Sequence, residues 1–327
     1  MRRLWYSVGL IGLVCIIFLL TGCGQRKTES SAGQLLLGFS QLGSESGWRL
    51  GNTKSIMDAA ESANIRLMLD NANQSQEKQI KAIRSFIAYR ADAIVFSPIV
   101  EDGWEAVLRE ARGAGIPVIV EDRQINVSDP SLYVCHIGSD FYSEGVMAGE
   151  YLLKKLKTLD ADQRLNVVEL VGTLDSTPML QRSTGFRDTI AGEERIRILD
   201  LVSGDFMISK GKECMRNLLE KYGSDIDVLY SHNDGMMYGA LEAIEEYGLT
   251  PGKDIIVISV DGEQRAIDLL KEGKVNCVVE CTPMLGDMIM QAVLNLRNGN
   301  TVDREIYSSE EVYTEFDDLD KLGPRGY

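Results

Sequence analysis

Side chains that can hydrogen-bond a polyhydroxylated ligand are concentrated in one early stretch, Gly38 to Arg49. An apolar run, Leu35 to Phe39, leads into a loop of serine, glutamine and glycine, and a predicted helix then opens with Trp48 and Arg49. Hydroxyl, amide and carboxylate groups bond to ligand hydroxyls, a tryptophan ring offers a flat face to C–H groups, and arginine is a fork of several donors. The structural alternative is that Trp48 packs on the sheet and that Glu45 and Arg49 form an exposed i,i+4 pair.

Polar groups also follow most of the other predicted strands. Carboxylate, amide and guanidinium groups can each bridge two vicinal hydroxyls, which is the chemistry of a sugar site. The positions are Ser40–Gln41, Asp70–Asn71, Ser97–Pro98, Asp122–Arg123, Gly172–Thr173, Ser203–Phe206, Ser231–Asp234 and Asp261–Gly262. In an open α/β sheet, ligands bind beyond the carboxyl ends of the strands, so these groups form one candidate set.

Helix capping is the competing explanation for any single member of this set, because Asp, Asn and Ser are common N-caps. We assign Asp140 and Asp234 mainly to capping. The concurrence of the Asp122–Arg123 pair with Asn233 and Asp261 is harder to explain in that way, since an arginine caps nothing.

Two similar series of strands must position these groups. Predicted strands begin near residues 35, 65, 93 and 117, and again near 165, 196, 226 and 255, with helical stretches between them. Intervals of this size indicate βαβ units and parallel sheets, and the repetition predicts two doubly wound α/β lobes. The chain has only seven prolines, which leaves no room for a long disordered linker, so short crossings should join the lobes.

The first 34 residues have the features of a targeting segment rather than those of a folded domain. Arg2 and Arg3 precede the apolar run Val8–Leu20, which is short for a membrane span and predicts a signal peptide over residues 1–22. The segment 20–23, Leu-Thr-Gly-Cys, resembles a bacterial lipobox, which implies a lipidated Cys23 followed by a polar tether to residue 34. An uncleaved single-pass anchor is the alternative.

Composition argues against several classes of function. The chain carries 34 basic and 49 acidic residues without a visible basic patch, so no nucleic-acid partner is expected. The remaining cysteines have no metal-ligand spacing, and neither a metal nor a cofactor is expected. These cysteines are Cys135, Cys214, Cys277 and Cys281, and we expect them to be small buried residues. The sequence does not decide whether any of them form a disulfide.

From Leu36 to about Glu310 the chain resembles the sugar-binding proteins of bacterial ABC importers of the ribose/galactose group, and within it the galactofuranose-binding branch. The motifs that carry the resemblance are Gly38–Arg49, Ile80–Phe86, Asp92–Pro98, Pro117–Arg123, Asn166–Thr173, Ser203–Glu213, His232–Met236, Pro251–Ile255, Asp261–Gly262 and Val279–Pro283. It implies the periplasmic-binding-protein type I fold, with three crossings near Ser139, Thr282 and residue 305. The first lobe would then contain residues 35–138 and 282–304, and the second 139–281 and 305–327.

The resemblance also implies which residues hold the ligand. In the wider family, the matching positions contact the sugar: Ser40, Trp48, Asp122, Arg123, Arg182, Phe206, Asn233, Asp261 and Glu280. Within the branch Glu45 and Arg49 join them. The chain departs from the branch at Gln124 and in the loop Leu174–Pro178.

The implied function is a monomeric, lipid-anchored, extracytoplasmic protein that captures a monosaccharide, such as galactofuranose, by hinge closure. The partner would be the membrane permease of an ABC importer, and the alternative partner is a membrane sensor kinase. A glycoside hydrolase using Glu45 and Asp261 is the rival from another class. With two histidines and no Gly-x-Ser-x-Gly elbow, the chain has little else that suggests an enzyme.

Trp104 is expected to pack at the rim of the first lobe.

Overall fold

A computed structural model describes residues 33–327. The predicted signal peptide, Cys23 and nearly all of the predicted tether lie outside the described residues. Within the described part, Leu36–Tyr327 form one compact unit. No helix in this part of the chain is long and apolar enough to span a bilayer.

Two six-stranded sheets form the framework, and each is the centre of one lobe. The first sheet has the order β11-β5-β4-β3-β1-β2 and the second β12-β10-β9-β8-β6-β7. All pairs are parallel except β10–β12. The strands are β1 Leu36–Gln41, β2 Arg66–Asn71, β3 Ala93–Phe96, β4 Val118–Glu121, β5 Cys135–Gly138, β6 Leu165–Val171, β7 Ile196–Ser203, β8 Val228–Ser231, β9 Ile256–Asp261, β10 Cys277–Glu280, β11 Glu305–Tyr307 and β12 Val312–Thr314. The predicted α/β class with two doubly wound parallel lobes is confirmed.

Helices cover these parallel sheets, and several of them begin at polar residues that follow a strand. The α-helices are α1 Gly47–Ser62, α2 Gln76–Ala88, α3 Glu105–Gly113, α4 Phe141–Leu156, α5 Thr177–Ile190, α6 Ile208–Tyr222, α7 Asp234–Tyr247, α8 Gln264–Lys271 and α9 Gly286–Arg297. Ser46 accepts from the Arg49 amide at the start of α1, and Asp140 accepts from the Ser143 amide at the start of α4. Such caps satisfy amides that have no partner inside the helix.

The lobe boundaries differ from the expectation at one point. Strand β11 pairs in parallel with β5 through Glu305↔His136 and Tyr307↔Gly138, so residues 305–307 lie in the first sheet. The last crossing therefore falls between Tyr307 and Val312 rather than near residue 305. This edge strand has three residues, two of them exposed, and shows no apolar run that could have marked it in the sequence.

Each lobe has its own aromatic core. In the first lobe, Trp104 is fully buried, its ring lies 4.9 Å from that of Phe96, and its indole nitrogen donates to the Val100 carbonyl at 2.7 Å. The expectation that Trp104 packs at the rim is therefore wrong, because the residue precedes α3 and turns inward with it. In the second lobe Phe186 stacks on Tyr230 with ring centroids 4.5 Å apart.

Candidate ligand-binding site

The carboxyl ends of strands from both sheets surround one small cavity. Its walls combine aromatic rings with buried charged groups, which is the composition expected for a small polar ligand. The lining residues are Glu45, Ser46, Trp48, Arg49, Asp122, Arg123, Phe141, Pro178, Arg182, Phe206, Asn233, Asp261 and Cys281.

The first-lobe wall centres on a buried pair between Arg49 and Asp122. A guanidinium nitrogen of Arg49 lies 2.7 Å from Oδ2 of Asp122, and the Ser97 hydroxyl donates to the same oxygen at 3.0 Å. Burial opposes ionisation of Asp122, but the charges of Arg49 and Arg123 outweigh it and lower the pKa of the carboxyl. Asp122 is therefore a carboxylate, and it accepts strongly from hydroxyl donors. The i,i+4 partner of Arg49, Glu45, lies 3.3 Å away, and the pair is buried rather than exposed.

Arg123 keeps an unused donor at this wall. One of its terminal nitrogens donates to the Ile99 carbonyl at 2.9 Å, and the guanidinium lies 5.4 Å from the ring of Phe206 in the other lobe. Its Nε is buried and has no hydrogen-bond partner among residues 33–327. Burial and the neighbouring Arg49 lower the pKa of Arg123 to about 10, which still leaves it charged at neutral pH. A buried donor without a partner is costly, and a ligand oxygen would supply one.

The second-lobe wall centres on Arg182 and Asp261. Arg182 in α5 donates through Nε to Glu144 and through a terminal nitrogen to the His232 carbonyl at 2.6 Å, and it lies 5.1 Å from the Phe141 ring. Oδ2 of Asp261 is buried and finds no partner within the described chain. Burial and the nearby Asp234 raise the pKa of Asp261 well above its usual value, which favours the protonated form of this carboxyl.

Of two adjacent residues after β8, Asn233 both caps the next helix and lines the cavity, whereas Asp234 does not cap as expected. Asn233 caps α7 by accepting from the Met236 amide at 2.9 Å, while it also lines the cavity. Asp234, expected to cap, instead accepts from the Ser259 hydroxyl and from the amides of Gly262 and Glu263. It thereby holds the loop that follows β9.

Behind the second wall, a buried cluster joins the crossings between the lobes. Oxygen atoms of Glu144 and Glu310 and the thiol of Cys281 all lie within 4.8 Å of one another. Arg182 binds Glu144 and the hydroxyl of Ser139 donates to Glu310, while Oε1 of Glu144 is buried and has no partner among residues 33–327. Burial raises the pKa of Glu144, and burial together with the Glu144 charge raises that of Glu310 to about 9. The arrangement fits a shared proton better than a metal ion.

Two of the residues that the sequence assigned to the ligand lie away from the cavity lining. Ser40 is buried within β1, and its hydroxyl has no partner in the described residues. Glu280 at the end of β10 pairs with Arg325 and accepts from the Tyr313 hydroxyl at 3.3 Å. Its neighbour Cys281 lines the cavity instead, because successive residues along an extended chain point to opposite sides.

The structure brings the other predicted residues together at the cavity: Glu45, Trp48, Arg49, Asp122, Arg123, Arg182, Phe206, Asn233 and Asp261. Sequence reasoning missed Ser46, Phe141, Pro178 and Cys281. Ser46 is the N-cap of α1 and Phe141 is the first residue of α4, and both helices follow first-lobe strands, so the rule that ligands bind beyond strand ends could have included them. Cys281 gave no such signal.

Comparison with known proteins identifies the family of the chain. A family model described as a periplasmic binding protein domain matches residues 37–301. The chain is 39% identical over 302 residues to the galactofuranose-binding protein YtfQ of Escherichia coli, covering 90% of this chain and 94% of that protein.

Solved structures agree with this match. A Mycobacterium smegmatis protein in complex with β-D-fucofuranose is 41% identical, with a TM-score of 0.83, over 86% of this chain and 92% of that one. The periplasmic binding component of the arabinose ABC transporter of Shewanella sp. ANA-3, bound to α- and β-L-arabinofuranose, is 40% identical, with a TM-score of 0.82 and the same shares, 86% and 92%. The resemblance that the sequence motifs indicated is confirmed, and the chain belongs to the periplasmic binding protein family.

Proposed function

We propose that the protein is an extracytoplasmic sugar-binding component of an ABC importer, and that it captures a monosaccharide in its furanose form. The observation that carries this proposal is the small cavity between the lobes, walled by buried arginine and carboxyl groups that keep unused hydrogen-bonding atoms. Hydrogen bonds to charged groups in such a site contribute ~1.5–3 kcal/mol each. A few of them suffice to hold a ring that carries several hydroxyls.

The two walls complement the two faces of a sugar. The lowered pKa of Asp122 favours a carboxylate that accepts from hydroxyls, and Arg123 donates. The raised pKa of Asp261 favours a protonated carboxyl, which can do both. The ring of Trp48 offers an apolar surface to the C–H groups. The site therefore binds a neutral polyol rather than an anion, because each wall contains both acidic and basic groups.

The preference for a furanose ring is supported by the relatives and by the first loop. The relative from E. coli is named for galactofuranose, and the two solved neighbours hold fucofuranose and arabinofuranose. In this chain the loop of the same branch places Glu45 and Arg49 in the wall of the cavity.

Binding requires the lobes to open, because contacts cross the mouth of the cavity. Thr177 at the start of α5 donates to Glu101 at 2.8 Å and accepts from the Gln124 amide at 3.0 Å. These residues belong to opposite lobes, and Gln124 and Thr177 lie where the chain departs from the branch. Hinge closure around the ligand is therefore part of the proposal.

Delivery to a permease is supported by the Shewanella neighbour, which is described as part of an ABC transporter. The proposal includes no catalytic step. The oxygens of Glu45, one of the two carboxyls considered for hydrolysis, are bound to Arg49 and to the Gln74 amide at 2.8 Å. Monomeric behaviour and anchoring through Cys23 complete the proposal.

A ligand screen tests the proposal directly. Thermal unfolding would be followed with L-arabinose, D-galactose, D-fructose and D-ribose, and with methyl glycosides locked as furanose or pyranose. A sugar present at 100 times its Kd stabilises the folded state by ~2.7 kcal/mol, which is readily measured. A pyranose-locked glycoside that bound better than every furanose would refute the proposed preference for a furanose ring. Release of free sugar from the glycosides on prolonged incubation would refute the non-catalytic role.

Anchoring has its own test. Replacing Cys23→Ser should move the protein from the membrane fraction to the soluble fraction, since the lipid acceptor is lost. Retention of the unprocessed variant in the membrane would support the uncleaved-anchor alternative instead.

A further inference from the structure

The segment Arg325–Tyr327 packs against the loop that carries a cavity carboxyl. The Tyr327 hydroxyl donates to the Asp261 carbonyl at 3.2 Å, and Nε of Arg325 donates to the Gly262 carbonyl at 3.2 Å. The Tyr327 carbonyl accepts from the Gln264 amide at 2.8 Å. The Arg325 amide also donates to Oε1 of Gln264 at 2.9 Å. Four bonds therefore tie this segment to residues 261–264, although neither Arg325 nor Tyr327 is among the described residues that line the cavity.

The loop needs such support because its backbone is strained. Asp261 has φ = +123° and the following Gly262 has φ = +87°. A positive φ is unfavourable for an aspartate and persists only where the surroundings enforce it. Asp234 binds the amides of Gly262 and Glu263, at 2.9 and 2.8 Å. The carbonyls of Asp261 and Gly262 are held from the other side by the segment Arg325–Tyr327.

Arg325 is itself firmly placed. It pairs with Glu280, donates to the Tyr313 hydroxyl at 2.8 Å, and donates to the Tyr327 hydroxyl at 2.9 Å. Glu280, which the sequence analysis expected to contact the sugar, thus acts on the site indirectly, through Arg325. The chain of contacts runs from Glu280 through Arg325 to the backbone beside Asp261.

The same segment reaches the other lobe. A Cβ placed on Gly51 of α1 would lie 3.4 Å from Cβ of Tyr327, so the two backbones are in close approach. Helix α1 carries Trp48 and Arg49 in its first turn, and both line the cavity. Tyr327 therefore touches the element that carries one wall of the cavity and the loop that carries the other.

We propose that Arg325 and Tyr327 are positioning residues of the ligand site, which hold Asp261 in its strained geometry and stabilise the closed arrangement of the lobes. The second part rests on the proposed function, whereas the first part is a property of the ligand-free protein. The contacts make separate predictions for the two side chains. The Tyr327 hydroxyl acts on the loop, and the rest of the residue acts on α1.

Three variants separate these roles. Tyr327→Phe removes the hydroxyl and keeps the packing on α1, Tyr327→Ala removes both, and Arg325→Met removes the bond to Gly262. Tyr222→Phe is the matched control, because its hydroxyl also lies near a backbone carbonyl, that of Leu199 at 3.4 Å, elsewhere in the second lobe. Overall folding is checked by thermal unfolding of each variant.

The first measurement is deuterium uptake by the ligand-free protein in a peptide covering residues 259–266. We expect faster exchange in Tyr327→Phe and in Arg325→Met than in the wild type, and no change in Tyr222→Phe. Equal exchange in the wild type and in both variants would overturn the positioning role. This result does not depend on the identity of the sugar.

The second measurement is calorimetric affinity for L-arabinose. We expect Tyr327→Phe to bind about fivefold more weakly and Tyr327→Ala at least tenfold more weakly, with the control unchanged. Unchanged affinity in Tyr327→Ala would overturn the role in closure. A wild-type protein that bound none of the sugars in the screen would contradict the proposed function, while the exchange measurement would still decide the positioning role.

Discussion

The two walls of the cavity use the same residue types but differ in charge state. In the first wall, the carboxyl of Asp122 lies between Arg49 and Arg123, and their charges lower its pKa. In the second wall, Arg182 pairs with Glu144 and lies near Asp261, but burial outweighs its charge and raises the pKa of both carboxyls. The position of cations beside a carboxyl, together with burial, therefore decides the direction in which its pKa shifts. The first wall is therefore a fixed charge pair and the second a proton-dependent network.

The largest effect should come from Arg182, because it is the cation of the second wall. Arg182→Met leaves Glu144 buried without its partner, and breaking a buried pair from one side costs ~3–5 kcal/mol. Urea unfolding should show a loss of this order together with loss of sugar binding. The double variant Arg182→Met/Glu144→Gln should recover much of the stability without recovering binding. A double variant as unstable as the single one would show that the pair is not what Arg182 contributes.

The next comparison replaces one carboxyl in each wall by an amide of the same shape. Asp122→Asn removes a charge that both Arg49 and the ligand need, so the affinity for sugar should fall tenfold or more. Asp261→Asn replaces a carboxyl whose raised pKa favours the neutral form, so the affinity should fall less than fivefold at pH 7. Calorimetry on both variants measures the difference. Equal losses would show that both carboxyls are ionised and would remove the contrast between the walls.

Titration should act on the second wall through Glu310, whose pKa is raised from its ordinary 4.5 to about 9. The groups that face it are Glu144, Cys281 and the hydroxyls of Ser139 and Ser308. The folded state binds more protons than the unfolded state between these two pH values, so this contribution to stability falls as the pH rises from about 4.5 to about 9.

Glu310→Gln removes that proton requirement. At pH 8.5 the variant should be more stable than the wild type by at least ~1 kcal/mol, and its stability should depend less on pH. Urea unfolding at pH 5.5, 7 and 8.5 measures this. The control is Glu77→Gln, at an exposed carboxylate in α2. Parallel stability curves for the wild type and Glu310→Gln would contradict the shared proton.

The smallest effects concern the two tryptophans of residues 33–327. Trp48 lines the cavity and donates to the Cys281 carbonyl at 2.7 Å, so Trp48→Phe should abolish most of the ligand-induced change in tryptophan emission and weaken affinity about threefold to tenfold. Trp104 lies in the first-lobe core, and Trp104→Phe should lower stability while leaving affinity within about twofold. If the ligand-induced emission change were lost in Trp104→Phe and kept in Trp48→Phe, the assigned position of the cavity would be wrong.

Local sequence was sufficient for the fold and for most of the site. Apolar runs spaced about thirty residues apart can be buried only as parallel strands with helices between them, and polar residues that end such strands must meet at one edge. That argument found Asp122, Arg123 and Asp261. It also found the two-lobed architecture, because the same series of strands occurs twice.

Tertiary structure alone decided the features that depend on contacts distant in sequence. The ionisation of Asp122 depends on Arg49, 73 residues away by numbering, and the protonation of Asp261 depends on the burial of all the surrounding elements. Which of Glu280 and Cys281 faces the ligand depends on the direction of β10 as it leaves the sheet. The three residues of β11 and the segment Arg325–Tyr327 take their places from their partners, since neither contains a periodic apolar pattern of its own. Local sequence sets which elements can form, and the summed burial and charge of the assembled lobes set what each side chain does there.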